Sequence, residues 1–179
     1  MPPNLFILAP LPDFLMDPLR ASYECHEYHA AADKAVLLRQ HGPLVRGVVG
    51  AGGTNYSEEI LRQLPDLEII TVFGVGYDGV PLDYCREHQI RVTNTPDVLT
   101  EDVADIAVAL VLMTSRKLVS ANRFLHGGGW QQGQFELAGA LRGKTAGIFG
   151  LGRIGKAIAR RLEAFGMTIS YHGRSAQPV

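Results

Sequence analysis

The chain has 179 residues, 46% of them hydrophobic, and its 17 basic and 18 acidic residues give a formal net charge of −1. This length is sufficient for one or two domains with buried cores, and the balanced charge argues against a nucleic-acid partner. The 2 cysteines, Cys25 and Cys85, are far apart and belong to no cluster, which argues against a disulfide framework and against a metal site.

The lengths of the apolar runs indicate the cellular compartment of the protein. The run near the N-terminus is too short for a signal peptide, and no basic residue precedes it. The longest apolar stretch, at residues 106–113, is far too short to span a bilayer. We therefore expect a soluble, cytoplasmic protein with no membrane partner.

Predicted strands alternate with helical patterns through the first half of the chain. Residues 4–8 form a short apolar run, and further strands are expected at residues 23–28, 45–49, 67–73 and 90–93. Helical patterns lie between them at residues 13–20, 31–39, 57–64 and 81–88. This alternation predicts an α/β fold in which a parallel sheet carries helices on both faces.

Two glycine-rich turns follow predicted strands in this half, at residues 50–53 and 74–76. Ligands of parallel α/β sheets bind beyond the carboxyl ends of the strands, where backbone N–H groups can hold a small anion. Both turns, which include Gly52, Val75 and Gly76, are therefore candidate anion sites. The alternative is that they are only turns, and the residues alone leave both interpretations open.

A turn cluster at residues 94–97 is the predicted domain boundary. After it, Thr100 can cap a long helix whose first turn carries two acidic residues. Apolar residues between positions 103 and 118 recur on one face of that helix, which predicts a core element or an interface. Residues 130–140 are predicted to form an exposed arm, and Trp130 and Phe135 within it suggest that a dimer partner covers it.

The most informative stretch lies at residues 145–175. An apolar run at residues 146–149 is followed by a glycine turn, an amphipathic helical pattern and a second apolar run at residues 167–172. The turn consists of Gly150, Leu151, Gly152, Arg153, Ile154 and Gly155. A strand, a glycine turn, a helix and a strand in this order form the βαβ unit that binds a dinucleotide.

Each glycine of this turn has a physical role in such a unit. Gly150 allows the sharp turn out of the strand, Gly152 lets a pyrophosphate approach the backbone, and Gly155 lets the helix pack closely on the strand. The pyrophosphate then lies at the positive end of the helix. The alternative is a turn with a purely structural role.

The end of the second strand discriminates between cofactors. Sites for NAD usually carry an acidic residue there, which binds the ribose 2′-hydroxyl. Residues 170–175 contain no carboxylate, whereas Arg174 offers a permanently charged donor fork for a phosphate and Ser175 adds a hydroxyl. The sequence therefore predicts a 2′-phosphate site and NADP in preference to NAD. The alternative is a solvated arginine in a loop.

Three segments form a specific combination: NTPDVLTEDVADIAVALVL from residue 94, GGGW at residues 127–130, and GIFGLGRIGKAIARRLEAFGM from residue 147. Together they resemble the D-isomer-specific 2-hydroxyacid dehydrogenases, and in particular the branch of glyoxylate/hydroxypyruvate and hydroxyphenylpyruvate reductases. Residues 172–175 are similar to the end of the second cofactor-binding strand in NADP-preferring members. The resemblance covers the chain from residue 45 onwards.

The resemblance implies two domains. Residues 1–96 would be the N-terminal part of a flavodoxin-like, parallel-sheet substrate domain. Residues 97–179 would be the first βαβ half of a Rossmann NAD(P)-binding domain, with a linking helix and a dimer arm, and family members are usually homodimers built through this domain. In the family, the loop matching Val75 and Gly76 binds the substrate carboxylate, and Gly52 lies beside the same cleft. Thr100 matches a position near the nicotinamide.

The family's chemistry also uses an Arg that grips the substrate and a Glu–His pair in which the His is the acid/base. All three lie after the second Rossmann strand, and the 6 histidines of this chain match none of those positions. No catalytic residue is therefore assigned, and we expect the chain to be a C-terminally truncated fragment that is inactive alone.

The parent protein is expected to reduce a 2-oxo acid (hydroxypyruvate, glyoxylate or an aryl-pyruvate) to a D-2-hydroxy acid with NADPH. One alternative is a non-catalytic, corepressor-like module that senses a dinucleotide. Another concerns the fragment itself, which could persist only as an oligomer whose partner covers an unpaired sheet edge.

Overall fold

The computed structural model describes residues 2–177 of the chain. The chain divides into two compact units, unit 1 at Met1–Pro96 and unit 2 at Asp97–Val179. Both units combine parallel strands with helices, so the predicted α/β class is confirmed. Between residues 2 and 177, no helix is long and apolar enough to cross a membrane.

Unit 1 is built on a five-stranded sheet in the order β2-β1-β3-β4-β5. Its strands are β1 (Asn4–Ile7), β2 (Glu24–His26), β3 (Val45–Ala51), β4 (Ile69–Phe73) and β5 (Arg91–Thr93). The helices between them are α1 (Asp13–Ser22), α2 (Lys34–His41), α3 (Glu58–Leu61) and α4 (Leu82–Glu87). Every neighbouring pair of strands is parallel. The carboxyl ends of all the strands therefore lie at one edge of the sheet.

Both faces of this sheet bury apolar side chains, which explains why its central strands are mostly apolar. On one face, Phe6, Val48 and Ile70 are completely buried, in a cluster that includes residues of α2, α3 and α4. On the other face, Ile7 packs in a smaller cluster with Met16 of α1. Beside α1, that face also carries an open trough of about 760 Å³ with a largely apolar lining.

Two predicted elements of unit 1 reach only half their predicted length in the structure. The strand expected at residues 23–28 covers only Glu24–His26, because Tyr28–Ala30 winds into a 3₁₀ turn. The helix expected at residues 57–64 is the single turn Glu58–Leu61. The chain leaves the helix before Pro65, whose ring disfavours helical backbone at the preceding residue.

Unit 2 contains a second, two-stranded parallel sheet. Its elements are α5 (Thr100–Ser115), α6 (Leu118–His126), a 3₁₀ turn (Gly129–Gln131), β6 (Thr145–Phe149), α7 (Arg153–Ala164) and β7 (Thr168–His172). Helix α7 connects the two strands, and Gly166 after it adopts a φ of 74°. The predicted strand–helix–strand unit is confirmed, and a glycine at positive φ directly after the helix is typical of a helix end.

Helices α5 and α7 pack against each other within unit 2. The side chains of Val108 on α5 and Leu162 on α7 are buried. The guanidinium of Arg161 contacts the carboxylates of Glu101 and Asp105, at 2.8 Å and 2.6 Å respectively. These contacts join the βαβ unit to the long helix that precedes it.

The long helix and its apolar face differ from the prediction. Helix α5 ends at Ser115, and Lys117 in left-handed conformation (φ 53°) separates it from α6, so Leu118 belongs to a different helix. Ile106 and Leu110 are 63% and 57% exposed. Helix α5 therefore contributes Ala104 and Val108 to the core of unit 2. The side that carries Ile106 and Leu110 does not pack inside this unit, and its role as an interface stays a prediction.

Candidate functional site

The glycine turn of unit 2 follows β6 and has the backbone geometry of a dinucleotide loop. Gly150 adopts a φ of 89°, which favours glycine. A Cβ on Gly155 would collide with the carbonyl oxygen of Gly150, whereas a Cβ on Gly152 would have no neighbour within 4 Å. Gly155 is thus required for the close approach of α7 to the turn. The surface at Gly152 is open to a ligand.

The beginning of α7 has unpaired backbone donors. Gly152 is the N-cap residue, and no side chain caps the helix. The first N–H groups of a helix have no partner within it, and they lie at the positive end of its dipole. Arg153 pairs with Asp97 at 2.9 Å, while Leu151 is buried and anchors the turn. Binding of a pyrophosphate by Gly150, Leu151, Gly152, Arg153, Ile154 and Gly155 stays a prediction.

A hydrogen bond connects the glycine turn to the end of β7. The N–H of Gly150 donates to the carbonyl of His172 at 2.8 Å. Arg174 and Ser175 follow two and three residues later and are exposed. Within residues 2–177, Arg174 makes no ion pair or side-chain hydrogen bond, so its guanidinium is available to a ligand. The structure therefore brings the predicted phosphate residues to the edge of the sheet that holds the glycine turn.

Thr100 lies at the beginning of α5, but it does not cap the helix as the sequence suggested. The carbonyl of Leu99 already accepts a hydrogen bond from the N–H of Val103 at 3.0 Å, which makes Leu99 the cap residue. Thr100 is consequently the first helical residue. The pairing of Glu101 with Arg161 fixes this end of α5 beside α7.

In unit 1, the loops after β3 and β4 lie against each other. The N–H of Gly52 donates to the carbonyl of Phe73 at 3.0 Å. Gly74 adopts a φ of 147°, and a Cβ there would lie 3.2 Å from the nitrogen of Gly52. The structure thus brings Gly52 together with the loop that contains Val75 and Gly76.

Residues directly after β5 hold the loop at 74–76. The N–H of Gly74 donates to Oγ1 of Thr95, and the N–H of Thr95 donates to the carbonyl of Gly74, both at 3.0 Å. The side-chain amide of Asn94 donates to the carbonyl of Val75 at 2.9 Å. From the sequence, this segment is predicted only to be a turn cluster and a domain boundary. A usable signal was present, since two side chains able to hydrogen-bond directly follow a strand next to a glycine-rich loop.

Tyr56 is a further residue near these loops that no local sequence pattern indicated. It is 1% exposed, and its hydroxyl would lie 2.5 Å from a Cβ on Gly50, so it packs behind the loop at residues 50–53. No group in the described part of the chain forms a hydrogen bond with this hydroxyl. Burial raises the pKa of Tyr56 to about 12, and the nearby Thr54 hydroxyl opposes this shift without reaching hydrogen-bond geometry.

Three of the histidines, His26, His41 and His88, lie against another ring. The rings of His26 and His41 are tilted by 36° with centroids 4.0 Å apart, and burial, with a smaller contribution from His41, lowers the pKa of His26. His88 stacks on Tyr84 and contacts its carbonyl at 2.9 Å. Across residues 2–177, no group of three or more His, Cys, Asp or Glu side chains could hold a metal ion. These positions give no basis for assigning a catalytic histidine.

Comparison with known proteins relates this geometry to a family. Residues 5–176 match the catalytic domain of the D-isomer specific 2-hydroxyacid dehydrogenases. The chain is 42% identical over 175 residues to glyoxylate/hydroxypyruvate reductase A of Arabidopsis thaliana, an alignment that covers 98% of this chain and 56% of that protein. It is 39% identical over 175 residues to hydroxyphenylpyruvate reductase of Plectranthus scutellarioides, with the same coverage of each protein.

A solved structure extends the comparison to the fold. The NADPH-dependent glyoxylate/hydroxypyruvate reductase of Sinorhizobium meliloti, in complex with NADP and malonate, is 41% identical and superposes with a TM-score of 0.85. That match covers 99% of this chain and 55% of the other. The chain therefore spans little more than half the length of the relatives it matches. The resemblance inferred from the motifs is confirmed, and the chain belongs to the D-isomer specific 2-hydroxyacid dehydrogenases.

Proposed function

We propose that the protein containing this chain is an NADPH-dependent reductase that converts a 2-oxo acid to a D-2-hydroxy acid. The candidate substrates are hydroxypyruvate, glyoxylate and aryl-pyruvates, in keeping with the names of its relatives. Unit 1 would be part of a flavodoxin-like substrate domain, since its strand order is that of flavodoxin-like sheets. Unit 2 would be the first half of a Rossmann cofactor domain.

The observation that carries this proposal is the arrangement at the edge of the unit 2 sheet. An uncapped helix follows an open glycine turn, and the turn is hydrogen-bonded to the strand that leads to Arg174. The N–H groups at the start of α7 would hold the pyrophosphate. Arg174 and Ser175 would hold the 2′-phosphate. Residues 170–175 contain no carboxylate that would repel that phosphate. The residues present therefore fit NADP, the cofactor held by the Sinorhizobium meliloti relative.

In this proposal unit 1 binds the substrate carboxylate and unit 2 binds the cofactor. NADPH, when bound, supplies the hydride that reduces the 2-oxo carbon. Val75 and Gly76 hold the substrate carboxylate through their N–H groups, with Gly52 in the adjoining loop, and Thr100 lies near the nicotinamide. The Arg that grips the substrate and the Glu–His pair that supplies the proton would belong to the part of the relatives that this chain does not span. The 179-residue chain would then bind NADPH without turnover.

We also propose that unit 2 forms a homodimer. Ile106 and Leu110 on α5, Trp130 in the 3₁₀ turn and Leu137 after it are 63%, 57%, 59% and 98% exposed. Ile106 and Leu110 lie one turn apart on the same face of α5, and an exposed apolar face is typical of a protein–protein interface. The relatives matched are reductases, which favours an enzyme over a non-catalytic dinucleotide-sensing module.

Calorimetric titration of the purified chain with NADPH and with NADH tests the cofactor assignment. We expect NADPH to bind more tightly, because only NADPH carries the 2′-phosphate that Arg174 would pair with. Tighter binding of NADH would contradict the assignment. For the whole protein, steady-state reduction of hydroxypyruvate, glyoxylate and hydroxyphenylpyruvate tests the activity, and failure to oxidise NADPH with any of them would refute the reductase proposal.

A further inference from the structure

We propose that Asn94 and Thr95 are positioning residues that aim the N–H groups of Val75 and Gly76 at the substrate carboxylate. This inference rests on the proposed function, in which the loop at residues 74–76 binds that carboxylate. It adds the reason why those N–H groups are available and how their direction is set.

The carbonyl groups of two successive peptide units are both held by the segment after β5. The carbonyl of Gly74 accepts from the backbone N–H of Thr95 at 3.0 Å. The carbonyl of Val75 accepts from the side-chain amide of Asn94 at 2.9 Å. A third bond, from the N–H of Gly74 to Oγ1 of Thr95 at 3.0 Å, fixes the entry to the loop.

The direction of the N–H groups follows from peptide geometry. All peptide bonds of the described chain are trans, and in a planar trans unit the C=O and the N–H point in opposite directions. The N–H of Val75 shares a unit with the carbonyl of Gly74, and the N–H of Gly76 shares one with the carbonyl of Val75. Both N–H groups therefore point away from residues 94 and 95.

Those two N–H groups have no partner in the part of the chain that the structure describes, whether backbone carbonyl or side chain. Gly76 is exposed and Val75 is half-buried. Two neighbouring donors on one side of a loop can both bind one carboxylate. The loop thus provides donors for an anion only while its carbonyls are held on the opposite side.

The anchoring segment is itself rigid. β5 pairs with β4 in register, with Thr93 opposite Thr71, and the hydroxyls of these two residues form a hydrogen bond at 3.1 Å. Pro96 follows Thr95 and restricts its backbone to extended conformations. Asn94 and Thr95 therefore hold the loop from a fixed position.

Titration of the 179-residue chain with malonate, followed by amide correlation NMR, tests the inference. In the wild type we expect malonate to shift the amide resonances of Val75 and Gly76. In Asn94→Ala we expect those two resonances to differ before malonate is added. Because one orienting hydrogen bond is lost, malonate should bind about 3- to 10-fold more weakly. The matched control is Asn122→Ala in α6, an exposed asparagine whose side chain makes no hydrogen bond within residues 2–177, and it should bind like the wild type.

A second pair of variants keeps the test decisive if Asn94→Ala does not fold. Thr95→Val keeps the shape of the side chain but removes the acceptor for the N–H of Gly74, whereas Thr95→Ser keeps the hydroxyl. We expect weaker malonate binding in Thr95→Val and restoration to within about 2-fold of the wild type in Thr95→Ser, a difference that matches one hydrogen bond.

The outcomes separate this inference from the proposed function. If malonate shifts neither amide in the wild type, the carboxylate loop fails as a site, and the positioning role fails with it. If the wild type responds but Asn94→Ala and Thr95→Val bind malonate as tightly, only the positioning role is overturned.

Discussion

The substitution Arg174→Ala tests the choice of cofactor most directly. Arg174 is exposed and pairs with no carboxylate within residues 2–177, so its guanidinium would break no ion pair there when it binds a phosphate. Hydrogen bonds to charged groups contribute about 1.5–3 kcal/mol, and exposure to solvent reduces the contribution of such a pair. We therefore expect a loss of about 1–2 kcal/mol, which weakens NADPH binding roughly 5- to 30-fold.

NADH lacks the 2′-phosphate, so the same substitution should leave NADH binding unchanged. Isothermal titration of each cofactor into the purified chain measures both affinities, at low and at high salt. The NADPH preference of the wild type should shrink as salt rises, because exposed charges are screened. Arg116→Ala is the matched control, since Arg116 is also exposed and makes no ion pair within residues 2–177.

Two results would contradict this reasoning. An equal loss for NADPH and NADH would mean that Arg174 supports the fold of the loop and not the phosphate. Unchanged NADPH affinity would mean that the arginine is only a solvated side chain, which is the alternative that the sequence left open.

Three further substitutions test other parts of the structure. Gly155→Ala should lower the free energy of unfolding by about 1–3 kcal/mol, because the new Cβ would collide with the carbonyl of Gly150. Gly152→Ala should keep the melting temperature of the wild type but weaken NADPH binding, because its Cβ would have no neighbour within 4 Å. Equal melting temperatures of the two variants in thermal unfolding would contradict the packing role of Gly155. Tyr56→Phe should cost little stability near neutral pH, because the buried hydroxyl has no hydrogen-bond partner among residues 2–177. The pKa of Tyr56 is raised to about 12 in the folded state, so the unfolded chain loses this proton first. Stability of the wild type should therefore fall as pH rises from about 10 to 12, by about 2–3 kcal/mol more than in Tyr56→Phe; parallel pH curves in denaturant unfolding would refute this. Leu110→Glu should weaken self-association in light scattering without unfolding the chain, because Leu110 is 57% exposed; an unchanged oligomer would exclude that face as the interface.

Local patterns were sufficient to predict the strands and the glycine turn. Residues 47–50 of β3 carry no polar side chain because this part of the strand is buried on both faces of its sheet, so burial and sequence agree there. Gly150 was predicted to allow a sharp turn out of the strand, and it adopts a φ of 89°, a conformation that favours glycine. In these cases the physical cause acts within a few residues, and a single segment contains the whole signal.

The bonds that shape the candidate site join residues that are distant in sequence. Asn94 lies 19 residues from Val75, and Thr95 lies 21 residues from Gly74. No local pattern shows which strand end will adjoin which loop until the order of the strands is known. The exposure of Leu110 could not be predicted from the sequence for a similar reason. Helical periodicity shows which residues share an apolar face, but it does not show what packs against that face.

The two proposed binding loops use the same physical device in different ways. At the start of α7, the helix leaves N–H groups unpaired. At residues 74–76, side-chain and backbone donors at Asn94 and Thr95 hold the carbonyls and leave the N–H groups unpaired. In both loops the ligand would contact backbone N–H groups. Such groups bind the carboxylate that every 2-oxo acid carries and the phosphates that NADPH carries. These loops would therefore select the class of ligand, and discrimination among hydroxypyruvate, glyoxylate and aryl-pyruvates would have to come from side chains that contact the rest of the substrate.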